Sequence, residues 1–161
     1  AFSTSWANDL SIGLERLGDA QFASDDLAGA LKSRQDCVAL RDWLVQQDSS
    51  NPAWYRSLAV CHERVSATLA RLGDMTPALE SQEQSLSLMR NLAAAYPDDP
   101  SYKIDVVRAL DLKAVLLQDP TAENQEALAI LEDMQAQGTL PQANAEWIPA
   151  FRRALGLPTD F

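Results

Sequence analysis

The chain repeats itself. Residues 6–53 lie over residues 54–101 without a gap, and eleven of the 48 aligned positions are identical. The matches are Trp6 with Trp54, Leu10 with Leu58, Glu15 with Glu63, Arg16 with Arg64, Asp26 with Asp74, Ala30 with Ala78, Leu31 with Leu79, Ser33 with Ser81, Leu40 with Leu88, Leu44 with Leu92 and Pro52 with Pro100. A fixed period in this range is the signature of stacked structural units, each completing its neighbour's interior. A third copy begins at Tyr102 and fades after Leu117, where Ala127 and Leu128 match Ala78 and Leu79 only across one inserted residue. Terminal units of such arrays are commonly atypical.

Inside each unit the apolar period is helical. Trp54, Leu58, Cys61, Val65, Leu69 and Leu72 follow one another at steps of three or four residues, which sets them along one side of a helix. Asn51 before Pro52, and Asp99 before Pro100, each supply a capping side chain and then a proline at a position whose N–H is not needed. Gly73 and Asp74 end one helix and cap the next. The second helix carries two adjoining stripes, Met75, Leu79, Leu86, Met89 and Ala93 beside Ala78, Ser85, Leu88 and Leu92. A helix with two contact faces packs between its own partner and the next unit. The pattern predicts an all-α chain of about three antiparallel hairpins with a capping helix, as one repeat domain over 1–161, with units at 4–51, 52–99 and 100–138. Its seven helices are expected at 4–23, 26–47, 52–72, 75–96, 100–118, 121–137 and 142–155.

Leu17 to Asp19 and Leu72 to Asp74 both read Leu-Gly-Asp, and Ala-Leu pairs recur at Ala30, Ala78 and Ala127. With the proline after each second helix, these residues resemble the tetratricopeptide repeat in a long-helix variant, because the period of 48 exceeds that family's usual ~34. The resemblance implies an α-α superhelix that binds a protein or peptide on its concave surface. Arg34 and Gln82 stand near the position where the family places an aromatic residue, so altered packing is expected there.

With Leu17 taken as the centre of the buried stripe, a rotation of about 100° per residue places Ile12, Glu15, Asp19 and Phe22 on the opposite side of the first helix. The corresponding stripes are Val60, Glu63 and Arg71 in the third helix and Arg108, Asp111 and Val115 in the fifth. The resemblance makes these ten residues the candidate partner-binding set. Acidic residues recur where the family's carboxylate clamp uses basic and amide groups, which disfavours a C-terminal carboxylate as ligand. Trp6 and Trp54 are expected to be core anchors, Trp43 a partly exposed contact, and Trp147, Ile148 and Phe151 the apolar face of the cap.

Composition narrows the chemistry. The formal charge is -10 and only three lysines are present, which argues against nucleic acid and anionic membrane surfaces, both of which need clustered cations. No apolar run approaches the roughly 20 residues of a membrane span. Cys37 and Cys61 do not have metal-ligand spacing; they fall on helix faces that should meet, and buried free thiols are the expectation. The single histidine, His62, points about 100° away from each sequence neighbour, so Cys61, His62 and Glu63 cannot converge on one metal. No catalytic constellation, cofactor loop or metal motif is present in the sequence. The expectation is a cytoplasmic, non-catalytic interaction module for a protein or peptide. The alternative is a regulatory or self-associating segment of a larger enzyme or signalling protein, suggested by a start at Ala1 rather than Met.

Overall fold

A computed structural model describes residues 3–159. Among the described residues the fold is all-α: α1 (Thr4–Ala23), α2 (Leu27–Gln47), α3 (Pro52–Leu72), α4 (Met75–Ala95), α5 (Pro100–Ala114), α6 (Thr121–Ala136), a short 3-10 turn (Gln142–Asn144) and α7 (Trp147–Ala154). The starts follow the capping residues. The side chains of Asp26, Asn51 and Asp99 accept from the backbone N–H of Gly29, Ala53 and Ser101, at 3.0, 3.1 and 2.9 Å. Gly73 closes α3 in the left-handed region at φ 89°, where a Cβ would be strained.

Two ends differ from expectation. The fifth helix was expected to reach residue 118 but stops at Ala114; beyond it Leu116 and Leu117 make only tight turns back to Lys113 and Ala114. Pro120 lies just past this stretch and disfavours helical backbone in the residue before it. The expected helix over 142–155 is broken into the 3-10 turn and α7. In an unbroken helix Pro149 would be interior, clashing with the Ala145 carbonyl and leaving it without a donor. With α7 starting at Trp147, Pro149 falls in the tolerant first turn.

The chain forms two compact units, Ala1–Leu88 and Met89–Phe161. In the first, α1 and α2 run antiparallel: Arg41 donates to Asn8 near one end, and Ser33 donates to Gln21 near the other. Helices α2 and α3 pair likewise through Arg34 with Thr68 and Cys37 with Cys61. Ser66 donates to the Ala78 carbonyl at 2.8 Å, seating the start of α4 on α3. In the second unit, Lys103 with Asp133 and Lys113 with Glu123 join α5 to α6 antiparallel, and Arg152 of α7 bonds Glu132 of α6. Its interior holds Val107, Leu110, Leu131 and Met134, with Ile148 and Phe151 supplied by α7.

The assignment of faces on α1 is corrected. Leu17 was taken as the middle of the buried stripe and Trp6 as a core anchor, yet Leu17 is 50% and Trp6 52% exposed. The buried line consists of small residues, Ala7, Ser11 and Gly18, about 100° around the helix from Leu17. A Cβ on Gly18 would lie 3.0 Å from Cγ of Arg34, so glycine is what lets the α2 arginine lie across α1. The physical reason lies in the order of the helices. Helix α3 is packed on one side by α2 and on the other by α4, so both of its lines are buried, Leu58 and Val65 on one and Ala59 and Ser66 on the other. No described helix precedes α1, and its Leu10 and Leu17, the equivalents of Leu58 and Val65, face outward. Trp54 is half-buried and Trp6 is not, for the same reason.

Candidate functional site

The first seven of the ten predicted contact residues lie in the first unit, where most of them form a seam that ties α1 to α3 across α2. Asp19 accepts from Arg34 of α2 at 3.0 Å and from Arg64 of α3 at 2.5 Å. Phe22 sits between two guanidinium groups, with Arg34 at 4.5 Å and Arg71 at 4.6 Å from its ring centroid. Arg71 also pairs with Asp25 at 2.5 Å, and Glu63 accepts from Ser85 of α4 at 3.2 Å. Ile12 and Val60 are half-buried. Asp19, Phe22, Glu63 and Arg71 are therefore engaged by neighbouring helices within the unit.

Arg34 is the centre of that seam. It is 5% exposed, and its Nη1 donates to the Arg64 carbonyl at 2.8 Å and to the Thr68 hydroxyl at 2.6 Å. Arg34 and Gln82, the two polar residues singled out in the second helices, are both buried. Arginine suits its position because its planar fork can meet acceptors on α1 and α3 while its stem packs across Gly18 of α1.

Beside the seam lies a buried polar cluster. Cys37 of α2 and Cys61 of α3 are each 1% exposed, with their Sγ atoms 2.7 Å apart. Both are free thiols. Glu15 of α1 reaches in, its Oε1 3.4 Å from the Cys61 Sγ. The hydrogen bond from Cys61 holds the Cys37 thiol below its ordinary range, helped by the nearby Arg41 guanidinium and opposed by burial and by Glu15. The bond to Cys37, burial and the Glu15 charge all push Cys61 up. Ligand atoms of Glu15, Cys37 and Cys61 lie within 4.8 Å of one another, the one such group of three among the described residues. His62 takes no part in it, and burial lowers its imidazole below the usual range against the opposing charge of Asp42. The helix pairing put Cys37 and Cys61 on faces that should meet but left open whether the sulfurs touch, and it gave no sign of Glu15.

The other three predicted contacts belong to the second unit. Arg108 and Asp111 border a pocket of about 210 Å³ with Val107 and Asn124, opposite Trp147 and Phe151 of α7. Arg108 is held 3.6 Å from the buried Asp105, and Asp111 is exposed. Val115 is 73% exposed at the end of α5. Trp147 was read as cap apolar surface, and the structure adds it to the pocket wall; Trp43 is half-buried.

No helix among the described residues is long and apolar enough to cross a membrane. No family model matches the chain, and no curated protein matches it.

Proposed function

We propose that the chain is a tetratricopeptide-like interaction module that takes a short basic segment of a partner protein at the pocket between α5, α6 and α7. The supporting observation is the combination at that pocket of two aromatic walls, Trp147 and Phe151, with Arg108 and the exposed Asp111 at its border. Its volume of about 210 Å³ is below the ~300–1,000 Å³ of ordinary small-molecule sites and suits one anchoring side chain. Asp111 sets the register of an adjacent cation, and the overall charge of -10 draws basic segments toward the surface.

The test is an array of basic peptides, each with one aliphatic or aromatic residue, probed with the wild-type protein and Asp111→Lys. Asp111→Lys is expected to weaken the best binder about tenfold, roughly 1.4 kcal/mol, with the melting temperature unchanged. Equal binding by both proteins removes this pocket as the site. Glu63→Lys serves as the contrast, because Glu63 bonds Ser85 and its reversal acts on stability.

A second reading, self-association or attachment to a further domain, rests on the outward line of Trp6, Leu10 and Leu17 on α1. Sedimentation decides it: a wild-type dimer that Leu17→Glu converts to monomer supports the reading, and a monomeric wild type over the whole concentration range leaves attachment in cis as its only form.

A further inference from the structure

The buried sulfur pair has features that simple packing does not require. Two small apolar residues would fill the same space, yet the cluster adds a guanidinium on one side and a carboxylate on the other. Arg41 is 4% exposed; its Nη1 is held by Asn8 at 2.7 Å, while its Nε has no hydrogen-bond partner among the described residues. Glu15 comes from a third helix and is only half-buried, so it links the cluster to the surface. The sulfurs at 2.7 Å need approach by only about 0.7 Å to reach the ~2.05 Å of a disulfide bond.

We propose that Cys37 and Cys61 form a dithiol–disulfide switch, oxidised by a small hydroperoxide, that locks α2 to α3. Cys37 is the attacking thiolate and Cys61 the resolving thiol. The Cys37 sulfur attacks one oxygen of hydrogen peroxide; an S–O bond forms, the O–O bond breaks, and the leaving hydroxide takes a proton to become water. Cys61 then gives its proton to the Glu15 carboxylate and attacks the Cys37 sulfenic acid. The S–S bond forms, the S–O bond breaks, and the departing hydroxide recovers the proton from Glu15 as a second water. Two thiols and one peroxide thus give one disulfide and two waters. Both sulfurs are buried, so an oxidant that reaches them has to be small, which excludes a bulky disulfide such as oxidised glutathione.

Metal binding by Glu15 and the two cysteines is the competing use of the same atoms. The neighbouring Arg41 charge disfavours it, since a cation would have to settle beside another.

The test treats the whole chain with hydrogen peroxide and reads the thiols by mass spectrometry. The expected result is loss of two hydrogens from the intact mass, a proteolytic peptide pair linked through Cys37 and Cys61, and reversal by dithiothreitol. The oxidised chain is expected to melt roughly 5–10 °C higher, because the bond closes a loop in the unfolded state. Cys61→Ala should gain one oxygen atom on Cys37 as the sulfenic acid, read in the mass of the peptide that carries it, and Cys37→Ala should leave Cys61 unreactive. Met75, which is 40% exposed, is the internal reference. If Met75 becomes the sulfoxide while both thiols stay free, the switch is overturned. It is overturned equally if zinc added alone stays with the chain through gel filtration and shields both thiols from peroxide. The first measurement uses only the wild-type chain, so it stands even if a variant does not fold.

Discussion

Replacing Arg34 by alanine is expected to lower the unfolding free energy of the first unit by about 3 kcal/mol, a large part of the ~5–15 kcal/mol typical of a folded domain. Two effects add. The side chain leaves a void across Gly18, and three acceptors lose a charged donor: the Arg64 carbonyl, the Thr68 hydroxyl and Asp19. The loss is tempered because Asp19 is half-exposed and keeps Arg64, and Thr68 keeps its own bond to the Arg64 carbonyl. Volume and charge are separable here. Arg34→Met refills the space without the fork and should recover about half of the loss, since a well-packed apolar replacement of a buried ion is often tolerated. Arg34→Lys keeps the charge but cannot reach acceptors on two helices, and should fall below Met. Urea denaturation of the three variants gives the order Arg, Met, Lys, Ala; an alanine variant within about 0.5 kcal/mol of wild type, the range of ordinary surface changes, sinks the view that Arg34 organises the seam.

The helices were legible because their signals are local. Asn51-Pro52 and Asp99-Pro100 specify where chains of i to i−4 hydrogen bonds begin, and the caps are made by the residues that the sequence singles out. The 48-residue period also brought Cys37 and Cys61 to facing positions, because one helix pair laid on the next fixes which faces meet. What periodicity does not contain is whether a neighbour exists. The line Trp6, Leu10 and Leu17 carries the same pattern as Trp54, Leu58 and Val65, and nothing in the residues themselves says that only the second is covered. A helical wheel centred on Leu17 therefore set Asp19 and Phe22 on an open side, when both are engaged by arginines from α2 and α3. The small line of Ala7, Ser11 and Gly18 was the overlooked signal, since small residues mark where two helices approach most closely. Glu15 escaped for a different reason. Its role depends on three helices at once, and each pairwise reading of the sequence sees only two.

The repeat itself supplies the sharpest measurement of that distinction, because Leu10 and Leu58 hold the same place in successive copies. Leu58→Ala is expected to cost about 2–4 kcal/mol, the usual range for emptying a packed leucine site. Leu58 is 5% exposed and lies on the line of Cys61 and Thr68, which meet Cys37 and Arg34 of α2. Leu10→Ala removes the same atoms from a residue that is 38% exposed, with no described helix before α1 to close over it. Part of its transfer free energy is never gained on folding and no closed cavity remains, so its cost should stay below about 1 kcal/mol. Chemical denaturation of the two variants side by side holds residue type, repeat position and helix environment constant and changes only the presence of a preceding helix. Equal costs would mean that the outward face of α1 is covered in solution, by a second copy or by an attached segment. A concentration-dependent midpoint for the wild type and Leu58→Ala that weakens or vanishes in Leu10→Ala would identify the cover as a second copy, because only an associating species shifts with protein concentration.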